Sequence, residues 1–288
     1  MCFIFHSSDN ALFISPEGLT NDYASVLTKV NRWFQSNSLI LNLNKTSIVQ
    51  FATKPTTNIP DCIDIGQIRL INSQTINFLG LTLDHTLSWR PHIARIGNKL
   101  RLACYILRIL KPTLNAQNLK KIYFSYFHSI MSYGIIFWGN STDNDDIFKL
   151  QKRAIRIMTN SSSRTPCRGL FKELGIPPLC SQYILSLALF VAKNREDFTI
   201  NSDIHPHNTR SNTNLHPSLV RLTEYQKGTY FSGIRIYNCL PTRIKLLSGD
   251  VNKFKLALKK FLLVGSFYSI EEFLHWSTSG DLNAMYLR

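Results

Sequence analysis

The chain has 288 residues, a formal net charge of +15 and an ordinary apolar content of 44%. A chain of this length can bury a sizeable core and hold two or three domains. No apolar run approaches the ~20 residues of a membrane-spanning helix, and the first residues lack the basic leader of a signal peptide. The sequence therefore argues against a membrane anchor and against secretion.

Six cysteines are scattered along the chain, without a Cys-x-x-Cys pair. This pattern favours reduced, mostly buried thiols over a disulfide framework or a zinc site. We therefore expect an intracellular protein, in the nucleus or the cytoplasm.

The positive charge is unevenly distributed, and it suggests three regions. Residues 1–91 hold six basic and six acidic side chains, residues 92–175 hold fourteen and four, and residues 176–288 hold thirteen and eight. A basic middle region predicts a polyanionic partner, with nucleic acid the usual candidate. The alternative is a solvated basic surface without a partner.

Short strands and one helix are predicted in the first region. Alternating or continuous apolar runs predict strands at residues 3–5, 11–15 and 47–51 and a hairpin at 63–71. Asp9 lies in the polar turn between the first two strands. Apolar residues at three- and four-residue steps predict a helix from about residue 23 to 37.

The stretch from Asn77 to Pro91 separates these strands from the helices that follow. Leu81 and Leu83 alternate with Thr82 and Asp84, and Gly80 precedes them. The pattern favours either a strand with a bulge or close backbone approach, or an ordinary β-turn-β segment.

Three amphipathic helices are predicted in the basic region, and Lys111-Pro112 ends the first. Their inward faces hold Ile93, Ile96, Leu100, Ala103, Leu107 and Leu110; Leu119, Ile122, Tyr123, Tyr126, Phe127 and Ile130; and Ile147, Leu150, Ala154, Ile157 and Met158. Asp145 and Asp146 are predicted to cap the third helix. The spacing of the aromatic residues favours core packing over base stacking.

The third of these helices carries four cations on its outer face: Lys149, Lys152, Arg153 and Arg156. Such a stripe can follow a phosphate backbone, and its binding would weaken steeply with salt because each phosphate it neutralises releases counterions. A solvated helix face is the alternative.

The third region begins after a loop at about residues 164–178. Helices are predicted at 181–192 and, as the last element, at 252–264, and a hairpin or helix at 225–240. Three histidines lie between 205 and 216, but no cysteine or carboxylate stands at ligand spacing, so we expect no metal site there.

Several segments, taken in chain order, resemble the end of the palm and the carboxyl-terminal region of reverse transcriptases from non-LTR retrotransposons of the jockey and related groups. They are Ser8-Asp-Asn-Ala-Leu-Phe-Ile-Ser, Leu41-Asn-Leu-Asn-Lys-Thr, Phe78-Leu-Gly-Leu, Trp89-Arg-Pro-His-Ile, Tyr133-Gly-Ile-Ile-Phe-Trp-Gly-Asn, Leu150-Gln-Lys-Arg-Ala-Ile-Arg-Ile, Asn208-Thr-Arg and Ile236-Tyr-Asn-Cys-Leu-Pro. Each segment is short, and their common order carries the resemblance.

The resemblance implies an α+β fold, in which a small antiparallel sheet from the palm precedes a mostly helical thumb and carboxyl-terminal region. It implies RNA-templated DNA synthesis with Mg²⁺, and a template–primer duplex of RNA and DNA as partner. Asp9 would be a metal ligand, Lys45 would assist on the nucleotide side, and Phe78, Leu79 and Gly80 would form the primer grip. The cationic stripe would contact the duplex.

Two departures put the activity in doubt. The family's turn has two adjacent carboxylates, but here Ser8 precedes Asp9, and a neutral hydroxyl cannot replace an anionic Mg²⁺ ligand. The family's fingers and another essential Asp lie upstream of this motif, which here begins near residue 6. We therefore expect a truncated, decayed copy that does not polymerise DNA alone. A repurposed nucleic-acid-binding module and an inactive helical relic remain alternatives.

Overall fold

The computed structural model describes residues 2–7, 10–14, 23–39, 48–51, 62–65, 68–204, 212–217, 219 and 223–278. The chain forms two compact units, residues 1–95 and 96–288. It is mostly helical with small antiparallel sheets, so the α+β prediction is confirmed. The three-region division stays a prediction, as does its assignment to palm and thumb.

Among the described residues, the strands lie in the first unit and are all paired antiparallel. They are β1 (Cys2–Ser7), β2 (Asn10–Ile14), β3 (Ile48–Phe51), β4 (Cys62–Ile65), β5 (Ile68–Ile71), β6 (Thr75–Phe78) and β7 (Leu81–Asp84). The sheets have the orders β2-β1-β3, β4-β5 and β6-β7. Helix α1 (Tyr23–Ser36) follows β2. The predicted first helix and both predicted hairpins are thus confirmed.

The β6–β7 hairpin confirms the β-turn-β alternative. Its turn residues Leu79 and Gly80 both have positive φ, 44° and 78°, as a two-residue hairpin turn of type I′ requires. Glycine tolerates this conformation freely, whereas leucine is strained by its Cβ.

The polar side of β7 is the buried one: Thr82 and Asp84 are buried, and the two leucines are half-exposed. The Asp84 carboxylate accepts hydrogen bonds from the Thr86 hydroxyl, from the amide and hydroxyl of Ser88, and from the Trp89 amide at 2.9 Å. The connection between β7 and the next helix therefore folds around one carboxylate.

Helix α2 (Arg90–Leu110) begins in the first unit and continues into the second, whose other described elements are mainly short and medium helices. These are α3 (Ala116–Ile122), α4 (Ser129–Ser132), α5 (Ile135–Trp138), α6 (Asn144–Thr159), α7 (Cys167–Leu174), α8 (Leu179–Lys193), α9 (Asn201–Ile204), α10 (Thr223–Lys227), α11 (Thr229–Asn238), α12 (Thr242–Lys245), α13 (Val251–Gly265) and α14 (Ile270–Thr278). A π-helical turn, Tyr123–His128, joins α3 to α4, and a 3₁₀ turn, Arg195–Asp197, follows α8.

The predicted inward faces lie only partly in the core. Leu110, Ile122, Tyr126, Ile130, Leu150 and Ile157 are half-buried, whereas Phe148, Gln151 and Ile155 of α6 are buried although they were not predicted to face inward. Leu100, Ala103 and Leu107 are buried on α2, and Ala154 is buried on α6. Tyr123 and Phe127 are fully buried and stack at 5.2 Å between ring centroids. Core packing of these two aromatic residues is therefore confirmed.

Gln151 is a buried polar residue that joins three segments of the unit. Its amide nitrogen donates to the Tyr123 hydroxyl and to the Pro177 carbonyl, each at 3.0 Å. Its amide oxygen accepts from the Leu179 backbone N–H at 2.8 Å. Because every polar atom of the amide has a partner, Gln151 fixes the start of α8 against α6 and the π-helical turn.

Two local predictions need correction. The N-cap of α6 is Asp143, while Asp145 and Asp146 lie in its first turn, where carboxylates favour the positive end of the helix dipole. The helix at Val251–Gly265 is not the last, because α14 follows it. The segment 225–240 is helical, as one alternative held.

Four of the six cysteines lie among the described residues, and none of the four is in a disulfide; Cys104 and Cys167 are buried, and Cys180 and Cys239 are half-buried. Among the described residues, no single helix is long and apolar enough to cross a membrane. Helices α7 and α8, which are bent relative to each other, are together long and apolar enough to span a membrane, but only by length and composition.

Candidate functional site

The candidate site lies along the seam between α2 and α6 within the helical unit. The thiol of Cys104 on α2 donates to the Leu150 carbonyl on α6 at 3.6 Å. Nearer the start of both helices, Gly97 leaves room for Ile147, whose Cδ1 would lie 3.7 Å from an added Cβ. These contacts pack the two helices side by side.

A basic concavity of about 560 Å³ opens at the carboxyl-terminal end of this seam. This basic concavity is lined by Arg108 of α2, by Lys111 directly after α2, and by Arg153 and Arg156 of α6. Its remaining polar lining comes from Asn160, Ser161 and Ser163 after α6. Four cations and several uncharged donors thus converge on one hollow.

The four cations differ in their contacts. Lys111 Nζ donates to the Asn160 side chain, and Arg156 Nε donates to the Thr165 carbonyl at 2.9 Å. Arg108 and Arg153 are exposed, and neither makes an ion pair or hydrogen bond within the described part of the chain. Two cations therefore help to hold the wall of the concavity, and two offer their guanidinium groups to solvent.

The electrostatics of Cys104 indicate that the two exposed guanidinium groups act on a common point. Burial raises the pKa of its thiol to about 11, and the charges of Arg153 and Arg108 oppose that rise. Both guanidinium groups are therefore close enough to the seam for their charges to act on the same buried thiol.

The other two cations of the predicted stripe make different contacts. Lys149 pairs with Asp146 at 3.0 Å on the exposed helix surface. The ammonium of Lys152 lies over two aromatic rings, 4.1 Å from the centroid of Phe148 and 5.1 Å from that of Tyr268. Neither residue lines the basic concavity.

Phe78, Leu79 and Gly80 lie at the β6–β7 turn of the first unit. The Leu79 side chain is about half exposed. The guanidinium of Arg95 donates to the Gly80 carbonyl, and at 3.1 Å to the Asn77 side chain. The turn is therefore held by a cation from the start of α2, and it presents an apolar side chain to solvent.

Asp9 and Lys45 lie outside the described residues, as does most of the histidine segment. Within the part of the chain that the structure describes, no group of three or more His, Cys, Asp or Glu side chains could hold a metal ion.

In two of the segments that carry the family resemblance, a side chain forms hydrogen bonds with the backbone. The indole of the fully buried Trp138 donates to the Tyr133 carbonyl at 3.0 Å. The side chain of Asn238 forms two 2.9 Å hydrogen bonds with the backbone N–H and carbonyl of Leu215. These segments thus organise the helical unit, and their residue types serve packing and backbone pairing.

The chain is similar to a Drosophila melanogaster protein that is named "Probable RNA-directed DNA polymerase from transposon BS". The two are 27% identical over 155 residues, which are 52% of this chain and 17% of that protein. The match supports a relationship to transposon reverse transcriptases. No family model matches the chain, and no solved structure matches it.

Sequence reasoning missed Arg108 and Lys111 as members of the site. The positions of Arg108 in the last turn of a basic helix and of Lys111 just after it were visible in the sequence, but their proximity to Arg153 depends on the packing of α2 against α6. No local pattern relates residues 45 positions apart in this way, so only the folded chain reveals the pairing.

Proposed function

We propose that the chain corresponds to the part of a jockey-like non-LTR retrotransposon reverse transcriptase that runs from the metal-binding turn into the thumb, and that it binds an RNA–DNA duplex through the basic concavity. The observation that carries the binding proposal is the convergence of Arg108, Lys111, Arg153 and Arg156 around one hollow. The relationship to a transposon polymerase supports nucleic acid as the anion.

The chemistry of the concavity suits a phosphate backbone. Guanidinium groups bind phosphate oxygens with two parallel hydrogen bonds, and serine hydroxyls add uncharged donors. Phe78, Leu79 and Gly80 are proposed to contact the primer through their exposed turn, as the family resemblance implies. Lys149 and Lys152 are assigned weaker roles, because each already has a partner within the protein.

The test is a salt series of binding to a short RNA–DNA duplex, with the double variant Arg108→Gln/Arg153→Gln. These arginines have no internal partner among the described residues, so the variant should fold normally. We expect log K to fall linearly with log salt, and the slope to flatten by about 0.9 for each phosphate that the variant no longer neutralises.

The matched control is Lys99→Gln/Lys255→Gln, which removes the same charge from exposed positions outside the concavity. It should leave the slope nearly unchanged. An equal flattening in both variants would show a diffuse charge effect and would contradict the concavity. Failure of the folded wild-type chain to bind any duplex would end the nucleic-acid proposal and favour a relic.

We propose further that the chain alone does not polymerise DNA. In the sequence, the segment that matches the family's metal-binding motif has one carboxylate, Asp9, beside the neutral Ser8, whereas two-metal nucleotidyl transfer needs clustered carboxylates to hold Mg²⁺. A single carboxylate beside a neutral hydroxyl does not fit a two-metal centre, and without that centre Lys45 has no reaction to assist. Primer extension with Mg²⁺ on an RNA template should give no product, and template-dependent product would overturn this proposal.

A further inference from the structure

A second concave surface lies between α12 and α13, within the helical unit. Its floor is apolar and is formed by Ile244 and Leu247 on one side and Leu256 and Ala257 on the other. The hollow encloses about 450 Å³, and we call it the leucine groove. It is formed by other residues than the basic concavity and lies outside the proposed nucleic-acid site.

The groove leaves leucine surface in water. Leu256 is 64% exposed although it lines a concave surface. Leu246, which precedes the lining residue Leu247 in the chain, is 78% exposed. Single exposed leucines are common on protein surfaces. An exposed leucine within an apolar hollow is a feature of binding grooves.

Cations surround this apolar floor. Arg243, Lys253 and Lys260 line the groove. Lys253 lies 3.4 Å from the Asp250 carboxylate. Arg243 and Lys260 are exposed and have no acidic partner among the described residues.

Helical spacing explains how α13 combines both properties. Lys253, Leu256, Ala257 and Lys260 follow the i, i+3, i+4, i+7 pattern of one helix face. Lys255 lies on the opposite face. The groove therefore presents two cations and two apolar side chains from a single stripe, with Arg243 and Ile244 facing them from α12.

We propose that the leucine groove binds an acidic amphipathic helix of a partner protein. Apolar side chains of that helix would bury Leu256 and Leu247, and its carboxylates would pair with Arg243 and Lys260. The apolar floor favours this partner over nucleic acid, because a phosphate backbone gains nothing from contact with leucine. The cationic rim favours an acidic helix over a neutral or basic one.

Fluorescence anisotropy of the full chain with a labelled model peptide tests the proposal. The probe is an amphipathic peptide with leucine at i, i+4 and i+7 and glutamate at the exposed positions. Its charge-reversed counterpart has lysine in place of glutamate. We expect saturable binding of the acidic peptide and at least roughly tenfold weaker binding of the basic one, as electrostatic complementarity predicts.

Variants assign the binding to the groove. Leu256→Ser should weaken binding of the acidic peptide by roughly tenfold, because one leucine is no longer buried at the interface. Arg243→Glu/Lys260→Glu should weaken it further by repulsion. Lys255→Glu, on the opposite face of α13, should bind nearly as the wild type does. Because all four side chains are exposed, circular dichroism should show unchanged helix content.

Three outcomes would overturn the proposal. One is binding of the peptide that is unaffected by the groove variants, and a second is no binding by the folded chain. The third is that the chain binds no peptide but binds RNA or anionic vesicles, and that Arg243→Glu/Lys260→Glu abolishes this binding. The surface would then bind a polyanion. The duplex salt series on the Arg108→Gln/Arg153→Gln variant separates this result from failure of the proposed nucleic-acid function.

Discussion

At the residue scale, Asp84 is the best example of a polar side chain that organises local structure. One carboxylate oxygen accepts from Thr86 and Ser88, and the other accepts from the Trp89 amide. Burial raises the pKa of this carboxyl group, but the accepted hydrogen bonds outweigh burial and leave the pKa below its ordinary value. The ionised form is therefore the one that stabilises the β7–α2 connection.

We predict that Asp84→Asn destabilises this connection by about 1–3 kcal/mol, because its NH₂ group must face backbone or hydroxyl donors. Asp197→Asn, at an exposed surface position, should change stability little. Hydrogen exchange at the Ser88 and Trp89 amides, with chemical denaturation, measures the effect. The contribution of Asp84 is complete above the pKa of an unfolded aspartate and is lost as the pH falls through the lowered folded-state value. Wild type and variant should converge in strong acid, and a constant gap would contradict the assignment.

His128 gives a second residue-scale prediction, with the opposite chemistry. Its Nδ1 is buried without a hydrogen-bond partner among the described residues, and its ring lies 5.1 Å from that of Phe124. Burial, aided by the charge of Lys259, lowers its pKa from 6.5 to about 4. Between pH 6.5 and about pH 4, His128 is therefore protonated in the unfolded chain but not in the folded chain.

It follows that the free energy of unfolding rises with pH between about 4 and 6.5. His128→Gln should remove much of this rise, whereas His275→Gln, at an exposed position, should keep it. Urea denaturation at several pH values across this window measures the slope. An unchanged slope in His128→Gln would show that another group is responsible.

At the scale of elements, α5 approaches α8 closely because Gly139 has no side chain. A Cβ added there would lie 2.5 Å from Cδ2 of the buried Tyr183 and 2.6 Å from the Ile135 carbonyl oxygen. Neither neighbour can move easily, since one is a packed ring and the other is backbone. The close approach thus explains why the loop after Trp138 needs glycine.

We predict that Gly139→Ala destabilises the helical unit by about 1–3 kcal/mol, the usual cost of overpacking. Gly169→Ala, within α7, is the matched substitution, because a Cβ there would meet nothing within 4 Å. It should be neutral or stabilise by up to about 1 kcal/mol through helix propensity. Thermal denaturation of both variants provides the comparison, and equal effects would refute the steric argument.

At the scale of the whole molecule, the chain divides into two compact units, residues 1–95 and 96–288. Helix α2 begins at Arg90, so a chain of residues 90–288 keeps the whole helix together with the core that it covers. We predict that this shortened chain folds cooperatively and retains the helix content expected of the helical unit. Circular dichroism and denaturation with urea measure both properties.

A chain of residues 112–288 is the control for that prediction. It lacks Leu100, Ala103 and Leu107, which are buried side chains of α2. Without the apolar surface that these side chains bury, the unfolding midpoint should fall strongly, or folding should fail altogether. If both shortened chains behaved alike, α2 would not be part of the core of the helical unit.

Much of the architecture follows from patterns that lie within one element. Periods of three and four residues predicted most of the buried face of α2 and part of the buried face of α6, and alternating runs predicted the hairpins. The spacing of Tyr123 and Phe127 predicted their burial. These properties are determined by the sequence alone, because the faces of a helix or strand are fixed by its own geometry.

The tertiary structure decided which faces meet and which polar groups find partners. Packing brings Arg108 and Arg153 to the same concavity and places the Lys152 ammonium over two aromatic rings. It surrounds Gln151 with three buried hydrogen-bond partners. It also buried the polar side of β7. Such contacts join residues far apart in the chain, and their geometry depends on how whole elements pack. The sequence by itself therefore determined the elements, their buried faces and the excess of positive charge, whereas packing alone decided where that charge converges.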